Sequence, residues 1–423
     1  MDIHVVKSGE TLSSIARGYG VTPSLIARYN GLAPPYPLAV GQALLILRPV
    51  ATETARTGDS LYDIASRSGV GILELYRNNP QLGGSAALDE GETVVLALER
   101  QPLGAAQLSG YAYPFADPDV LRAILPYASY LAPFTYGVTA AGGLLPLDDQ
   151  ALLLLAREYR VTPLLHLSTL TERGAFSPER GAAILQSDTL RSALADAALA
   201  QLSRLGYGGL DVDFEFLGAE NAAAYAEFLG LLRERLNDAG MELFAALAPK
   251  TSRSQAGVLY EGHDYAAVGE NTDAVLLMTY EWGYTYGPPM AVSPLPSVKR
   301  VLDFAVTELP PDKIFMGFSN YGYDWTLPYV RGETRARSIS NVYAPLLAAQ
   351  VGAEIEFDET AQAPFFRYTA EGLEHEVWFE DPRSCMARLP LVAEYGFRGL
   401  GVWNFMRPFP ALFMLAHVLY DLG

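Results

Sequence analysis

The feature that most constrains the fold is an alternation of apolar, strand-like runs with helical stretches from Leu108 to the C-terminus. Such alternation favours a parallel sheet, and eight strands in about 315 residues match a TIM (β/α)8 barrel with one insertion. The predicted strands are 108–113, 130–138, 162–168, 209–215, 243–249, 274–281, 313–319 and 399–404. Helices are predicted at 147–157, 187–205, 219–239 and 296–308.

The fourth predicted strand carries three acids at alternate positions, Asp211, Asp213 and Glu215. Side chains alternate with period two along a strand, so all three are expected on one face. Burying adjacent acids is costly unless they share protons or hydrogen bonds, which leaves a solvated strand edge or a functional site. In a barrel, active sites form at the C-terminal ends of the strands, and Glu215 is predicted at such an end.

An insertion is predicted between the seventh and eighth strands, at about residues 324–390. Two alternating stretches, 364–369 and 375–380, flank the turn residues Glu371 and Gly372, which indicates a β-hairpin. We expect a small α+β lobe beside the mouth of the barrel. It either deepens a cleft or only elaborates the packing.

The first hundred residues contain a repeat of about 49 residues. Lys7 to Leu12 align with Arg56 to Leu61, and each unit is predicted as a βααβ module whose first helix is capped by Thr11 or Ser60. Pro and Gly residues then indicate a linker. The predicted organisation is a module at 1–49, a second at 52–98, a linker at 99–107 and the barrel at 108–423.

Composition narrows the range of partners. The chain has 30 Lys and Arg against 48 Asp and Glu, a net charge of −18, which disfavours nucleic acid and anionic membranes and favours a neutral substrate. The single cysteine, Cys385, excludes an intramolecular disulfide, and five scattered histidines form no metal-ligand pattern, so neither metal nor cofactor is expected. The N-terminus lacks the pattern of a secretory signal, and no apolar run is long enough to span a bilayer.

The repeat resembles LysM domains, through Gly-[Glu/Asp]-[Thr/Ser]-Leu, a following Ile-Ala, an Asn after the second helix, and Gly-[Gln/Glu] before an apolar strand. The resemblance implies binding of N-acetylglucosamine polymers such as peptidoglycan and chitin, largely through backbone groups. The alternative is a pair of packing modules without ligand. The glycan-binding residues that the resemblance implies are Gly9, Thr11, Leu12, Asn30, Gly58, Ser60, Leu61 and Asn79.

The acidic strand resembles the signature of glycoside hydrolase family 18, D-G-x-D-x-D-x-E, with Gly208 in place of the first Asp. That departure removes the outermost carboxylate of the usual chain. The resemblance implies that Glu215 is the general acid, that Asp213 orients the acetamido group of the substrate, and that Asp211 supports Asp213. Enzymes of this family use the N-acetyl oxygen of the substrate as the nucleophile, so the protein supplies one acid.

Other strands carry further matches to the family. Tyr280 lies in a segment similar to M-x-Y-D, where it would hold the acetamido carbonyl, and Glu281 replaces the Asp. Trp403 would form the floor beneath the sugar. Asn404 and Tyr111 complete the predicted substrate-binding set. The third strand departs from the family, since residues 165–169 replace its Ser-x-Gly-Gly element.

Taken together, two LysM-like modules, the barrel, residues 280–284 and the hairpin resemble the cortical fragment-lytic enzymes of spore-forming bacteria. The resemblance implies a retaining glycosidase that cleaves after N-acetylglucosamine in spore-cortex peptidoglycan. A location in the spore would explain the missing signal peptide. Two alternatives stay open: a chitinase or chitooligosaccharide hydrolase that uses the same residues, and a non-catalytic glycan-binding protein. The sequence does not predict an oligomeric state.

Overall fold

The computed structural model describes residues 1–84 and 86–423, which form two N-terminal modules, a barrel and an inserted lobe. The first module consists of β1 Asp2–Val5, α1 Leu12–Tyr19, α2 Pro23–Asn30 and β2 Ala43–Ile46. The second consists of β3 Pro49–Thr54, α3 Leu61–Ser68, α4 Ile72–Asn78 and β4 Thr93–Leu98. In each module the two strands pair antiparallel, which confirms the predicted βααβ units.

Side-chain caps begin the first helix of each module as predicted. The Thr11 hydroxyl accepts a hydrogen bond from the Ser14 N–H, and Ser60 does the same with Asp63; the Ser14 and Asp63 side chains bond back to the cap N–H. These reciprocal bonds satisfy N–H groups that a helix start leaves without partners.

Eight parallel strands close into a barrel, because the last barrel strand pairs with the first. Their order around the barrel follows the chain. The barrel strands are β5 Gly104–Ala112, β6 Tyr130–Pro133, β7 Thr162–Ser168, β8 Gly209–Asp213, β9 Glu242–Leu247, β10 Ala274–Leu277, β11 Ile314–Ser319 and β17 Gly399–Trp403. The TIM-barrel prediction is therefore confirmed.

The main helices follow these strands along the chain and supply much of the apolar core. They are α5 Pro118–Ile124, α6 Gln150–Glu158, α7 Pro178–Leu185, α8 Asp188–Leu205, α9 Ala222–Asp238, α10 Val258–Glu261, α11 Tyr265–Glu270, α12 Leu295–Glu308 and α16 Pro410–Leu419. The four predicted helices correspond to α6, α8, α9 and α12. In residues 1–84 and 86–423, no helix combines the length and apolarity that crossing a membrane requires.

Several strands end earlier than predicted, and this matters for the site. Strand β8 ends at Asp213, so Glu215 follows the strand rather than closing it, and Phe216 has a φ of +56°. Strand β10 ends at Leu277, and Glu281 has a φ of +67°. The apolar pattern continues past both ends because Phe214, Leu217 and Tyr280 stay buried after the chain leaves the sheet. Pattern alone therefore could not locate these strand ends.

The inserted lobe is an antiparallel sheet with one helix packed against it, and it begins at Tyr321 rather than near residue 324. The predicted hairpin is confirmed as β15 and β16, and its turn residues Glu371 and Gly372 have φ values of +54° and +79°. The elements of the lobe are β12 Tyr321–Thr326, β13 Arg337–Ser340, α13 Tyr343–Val351, β14 Glu356–Asp358, β15 Ala363–Ala370 and β16 Leu373–Trp378. Helices α14 Pro382–Arg388 and α15 Leu391–Glu394 lead back to the barrel.

Both N-terminal modules are docked on the rest of the protein. In the first module the Val40 carbonyl accepts a hydrogen bond from the Ile355 N–H of the lobe at 2.8 Å, and a Cβ on Gly41 would lie 1.9 Å from the Ile355 oxygen. In the second, the Arg77 guanidinium donates to the carbonyls of Pro126 and Leu422. These contacts hold each module in a defined place.

The predicted linker is short and bonded to its surroundings. Leu103 donates its N–H to the Leu419 carbonyl at 2.7 Å, and the Arg100 side chain donates to the Tyr420 carbonyl at 2.7 Å. Strand β5 already begins at Gly104, and β18 Tyr420–Leu422 pairs with that part of it. Residues 104–107 therefore belong to the barrel sheet rather than to a linker.

Candidate active site

A cleft of about 340 Å³ opens at the C-terminal ends of the barrel strands. Its walls are mainly aromatic and apolar, and its polar groups come from several barrel strands or the segments that follow them. The lining residues are Tyr111, Tyr113, Phe134, His166, Phe176, Asp213, Glu215, Ala246, Pro249, Leu259, Tyr260, Leu276, Met278, Tyr280, Glu281, Trp282 and Trp403. A concave, apolar site with a few convergent polar groups suits a sugar ring, which has apolar C–H faces and polar edges.

Three carboxylates run from the barrel interior to the cleft. Asp211 is 2% exposed, the side chain of Asp213 is 12% exposed, and Glu215 is half-buried at the cleft wall. Burial raises the pKa of Asp211 to about 7 and that of Glu215 to about 6. Burial, together with the negative charges of Glu215 and Asp211, also raises the pKa of Asp213. The three groups can therefore share protons near neutral pH.

The inner carboxylates have few hydrogen-bond partners. Both oxygens of Asp211 and the Oδ1 atom of Asp213 lack a well-formed hydrogen bond to any residue that the structure describes. The Tyr111 hydroxyl is the neighbour that lowers the pKa of Asp211, against the larger effect of burial. The His166 Nε2 atom lies 3.8 Å from Asp211 Oδ2 and 3.7 Å from Asp213 Oδ2. These acids are held by close packing rather than by a cation.

Gly208 lies one residue before β8, at the end of the strand farthest from the cleft. Period two places its side-chain direction opposite to that of Asp211, so a carboxylate at this position would not extend the column of acids. A Cβ on Gly208 would also lie 2.4 Å from the Thr162 Cγ2 atom. The carboxylate that Gly208 lacks would therefore lie outside the cleft. The neighbours of Asp211 are Tyr111 and His166.

A buried histidine fixes the backbone between Asp213 and Glu215. His263 accepts a hydrogen bond at Nδ1 from the Ala248 N–H, and its Nε2 donates to the Phe214 carbonyl at 2.9 Å. The Phe214 side chain packs behind the site against Tyr225. Sequence inspection missed His263 because it lies 49 residues beyond Phe214, outside any recognisable motif.

Tyr280 and Glu281 follow β10 and both line the cleft. Tyr280 is 8% exposed, and burial raises the pKa of its hydroxyl, which keeps it a neutral donor. The Glu281 carboxylate accepts hydrogen bonds from the hydroxyls of Tyr321 and Tyr323, two residues of the inserted lobe. The lobe therefore holds the acid that replaces the aspartate of the family pattern.

The remaining predicted residues divide into two groups. Trp403 and Tyr111 line the cleft with their ring centroids 5.4 Å apart. Asn404 does not line it, because its side-chain oxygen accepts a hydrogen bond from the Met406 N–H at 3.0 Å and its backbone contacts Asn320. Asn404 therefore shapes the loop after β17, which corrects its predicted place in the substrate-binding set.

Sequence inspection also missed much of the aromatic wall. Phe134 packs 4.7 Å from the His166 ring and 4.8 Å from the Trp403 ring, and Phe176 lies beside it. Each follows a barrel strand, and that position was the signal available in the sequence. His166 lies on β7, where the sequence departs from the Ser-x-Gly-Gly element of the family. That departure was the signal available for His166.

The two predicted glycan-binding asparagines are structural. Asn30 donates both amide hydrogens to the carbonyls of Ile26 and Leu45 and accepts from the Leu45 N–H. Asn79 makes the equivalent three bonds in the second module, to the carbonyls of Leu75 and Val95 and from the Val95 N–H. Their amide groups tie a helix end to the last strand, so a role in direct sugar contact is not supported.

The other six predicted LysM residues also build the loop rather than present side chains. Thr11 and Ser60 cap helices, and the Leu12 and Leu61 side chains are 5% and 0% exposed. Gly9 and Gly58 have φ values of +81° and +80°, which non-glycine residues rarely adopt. These six residues therefore shape the loops, and the backbone of Gly9 and Gly58 is exposed to solvent.

A closed barrel with a raised-pKa acid, a neighbouring carboxylate and aromatic walls at its strand ends defines a glycoside hydrolase. The family model of glycosyl hydrolases family 18 matches residues 178–407, and that of the LysM domain matches residues 4–46 and 54–97. The chain belongs to glycosyl hydrolases family 18 and carries two LysM domains.

Relatives of full length support this assignment. The chain is 40% identical to the cortical fragment-lytic enzyme of Bacillus subtilis, over 98% of this chain and 97% of that protein. Crystal structures of the spore cortex-lytic enzyme SleL from Bacillus cereus and Bacillus megaterium superpose with TM-scores of 0.84 and 0.83, at 35% and 36% identity. Each alignment covers all of this chain and 98% of the other.

Proposed function

We propose that this enzyme hydrolyses β-1,4 linkages after N-acetylglucosamine in spore-cortex peptidoglycan, with retention of configuration. The observation that carries the proposal is the column of Asp211, Asp213 and Glu215 that ends in an aromatic cleft. Similarity along the whole chain to enzymes named for action on the spore cortex supports the choice of substrate.

Glu215 is the proposed general acid. A carboxyl with a pKa of about 6 is mostly protonated at mildly acidic pH and still partly protonated near neutral pH, so it can donate to the leaving glycosidic oxygen. Its position just past the end of β8 places it at the wall of the cleft rather than in the barrel core. The same group then serves as the base that activates water in the second step.

Asp213 and Tyr280 are proposed to hold the acetamido group of the sugar. The Tyr280 hydroxyl, kept neutral by burial, can donate to the carbonyl oxygen. Asp213 can accept the acetamido N–H, and its charge stabilises the positive oxazolinium intermediate. Asp211 lies behind Asp213 and shares its proton while Asp213 faces inward.

Trp403 and Tyr111 are the proposed floor of the subsite at the cleavage point, where an indole face can cover the apolar side of a pyranose. Glu281 is proposed to accept hydrogen bonds from sugar hydroxyls. Its side chain is already oriented by Tyr321 and Tyr323, which reduces the entropy lost when substrate binds.

The LysM domains bind N-acetylglucosamine-containing glycan, and we propose that they hold the barrel on the cortex polymer. Their docked positions make them a tether of fixed geometry, which raises the local concentration of glycan chains. We further propose that the enzyme acts within the spore, on the cortex itself.

The test compares the wild-type enzyme with Glu215→Gln on purified cortex fragments. Reducing ends are counted and products are identified by mass spectrometry. We expect a fall in kcat of about 10³-fold, within the range for loss of a general acid. Glu220→Gln is the matched control, because it makes the same chemical change on an exposed side chain of the following loop and should leave the rate unchanged.

Three outcomes contradict the proposal. Equal rates for the wild-type enzyme and Glu215→Gln would remove Glu215 as the acid. Faster turnover of chitin oligomers than of cortex fragments by the wild-type enzyme would favour the chitinase alternative. Binding of fragments without any product over a long incubation would support a non-catalytic glycan-binding protein.

A further inference from the structure

His166 is a buried histidine beside the catalytic carboxylates that the proposed reaction does not yet use. It lies on β7, next to β8 in the sheet, and its register partner is Asp211. Its side chain is 1% exposed, and its Nε2 lies almost equally far from Asp211 Oδ2 and Asp213 Oδ2, at 3.8 and 3.7 Å. Both distances lie just outside the range of a hydrogen bond, so the ring has the two acids as equivalent neighbours.

The ring itself is held in place from its other side. Its Nδ1 lies 2.7 Å from the Thr135 hydroxyl oxygen, while Tyr111 and Phe134 pack on the ring at 5.3 and 4.7 Å. Thr135 has one proton and also lies within reach of Ser168 and of two carbonyls at longer distances. The shortest contact is the one to Nδ1. If Thr135 donates there, the ring proton is on Nε2 and faces the two acids.

We propose that His166 is a positioning residue whose Nε2–H stabilises the ionised member of the Asp211 and Asp213 pair, donating to whichever of the two carboxylates carries the charge. When Asp213 turns to the acetamido group of the substrate, Asp211 loses its neighbour, and the donor moves to Asp211. This inference rests on the proposed roles of Asp213 and Glu215. It assigns a function to the place where the third strand departs from the family motif.

The surroundings of the His166 ring favour an uncharged imidazole that donates one N–H. Tyr111 on β5 and the acids of β8 are the titratable groups next to it, and burial lowers the pKa of His166 to about 3. A neutral ring gives one N–H without forming a permanent ion pair, so it can serve two acids in turn. A buried arginine would instead fix both acids in their ionised form.

Three substitutions of His166 distinguish hydrogen-bond donation by the ring from its role in packing. In His166→Gln, the terminal amide N–H can reach the position of the imidazole Nε2–H, whereas the shorter amide of His166→Asn reaches only that of Nδ1. His166→Leu keeps the bulk and removes both groups. We expect kcat within about 5-fold of wild type for Gln and a fall of about 10²-fold for Leu and Asn, with KM changed less than kcat.

The pH profile provides a second measurement. A donor to an ionised carboxylate lowers its pKa, so loss of the donor raises it. The acidic limb of kcat/KM should therefore move to higher pH in His166→Leu by about one unit and stay near the wild-type position in His166→Gln. If His166→Gln, His166→Asn and His166→Leu have equal kcat values and equal acidic limbs of kcat/KM, His166 has only a packing role and the inference is overturned.

The tautomer can be measured without any activity. In protein labelled with ¹⁵N-histidine, the signals of His166 are assigned by their loss in His166→Gln. His263 is an internal reference, because its contacts fix the Nε2–H form. We expect the Nε2–H tautomer for His166, and a shift away from it in Thr135→Val. An Nδ1–H tautomer in the wild-type protein would overturn the inference even if Glu215→Gln abolishes hydrolysis and the proposed function stands.

Discussion

Glu380, which follows the last strand of the lobe, and Asp211 in the cleft are buried to a similar extent, at 1% and 2% exposure, but their partners differ. Burial raises the pKa of Glu380, and the paired Arg388 guanidinium offsets part of that rise. Across residues 1–84 and 86–423, no arginine or lysine forms an ion pair with Asp211 or Asp213. Their nearest basic group is a neutral histidine.

The difference separates acids that hold the fold from acids that carry out chemistry. The cation beside Glu380 favours its ionised form and holds it at the junction between the lobe and the barrel, where Arg388 also donates to the Ser293 carbonyl. In the described part of the chain, Asp211 has no such cation to oppose the effect of burial, and with a pKa of about 7 it can gain or lose a proton near neutral pH. Burying the cleft acids without a cation lowers the free energy of unfolding of the protein, but it leaves these acids able to titrate.

The largest effect on stability is expected on the structural side of this comparison. Arg388→Leu leaves Glu380 buried without its cation, so the free energy of unfolding should fall by about 3–5 kcal/mol in urea melts. Arg122→Leu is the control, because Arg122 forms an exposed pair with Asp119 and its loss should cost less than about 1 kcal/mol. Equal losses for the two variants would remove the distinction drawn for Glu380.

The next largest effect is expected in the cleft, where the rate should depend on pH. Burial raises the pKa of Glu215 to about 6, and the proposed acid must be protonated. As pH rises above this value the acid loses its proton, so kcat/KM should fall about tenfold per pH unit, measured on cortex fragments. A rate that stays constant up to pH 8 would show that the limiting acid is another group.

A smaller effect is expected where the lobe meets the cleft. Replacing both Tyr321 and Tyr323 by Phe removes the hydrogen bonds to Glu281 and frees its side chain. We expect KM to rise about 5- to 10-fold with a smaller change in kcat, as for lost orientation of a binding group. Tyr329→Phe is the control, since its hydroxyl bonds to the Tyr286 carbonyl. Unchanged KM in the double variant would remove Glu281 from the substrate contacts.

Several features of the cleft and of the inserted lobe could be predicted from the sequence. The alternation of strands and helices predicted the barrel, and the spacing of Asp211, Asp213 and Glu215 predicted the column of acids. The hairpin was marked by alternation around Glu371 and Gly372. These features depend on local periodicity, which a sequence records directly.

The parts that were missed depend on contacts between distant segments. His263 reaches Phe214 from another loop, and Tyr321 and Tyr323 reach Glu281 from the inserted lobe. The asparagines of the LysM domains match a family position, but their three internal hydrogen bonds become visible only when helix and strand are brought together. A motif identifies a position; the structure is needed to decide whether its side chain faces the ligand or the fold.

The central claim is that the cleft retains unpaired acids at the expense of stability, and Asp211→Asn tests it most directly. The pKa of Asp211 is raised from 3.8 to about 7 in the folded state, so wild-type stability is lost as pH rises through this range. An amide carries no such charge. At pH 8 we predict that Asp211→Asn increases the free energy of unfolding by about 1–3 kcal/mol while kcat falls. A variant that is less stable than wild type at pH 8 would contradict the account.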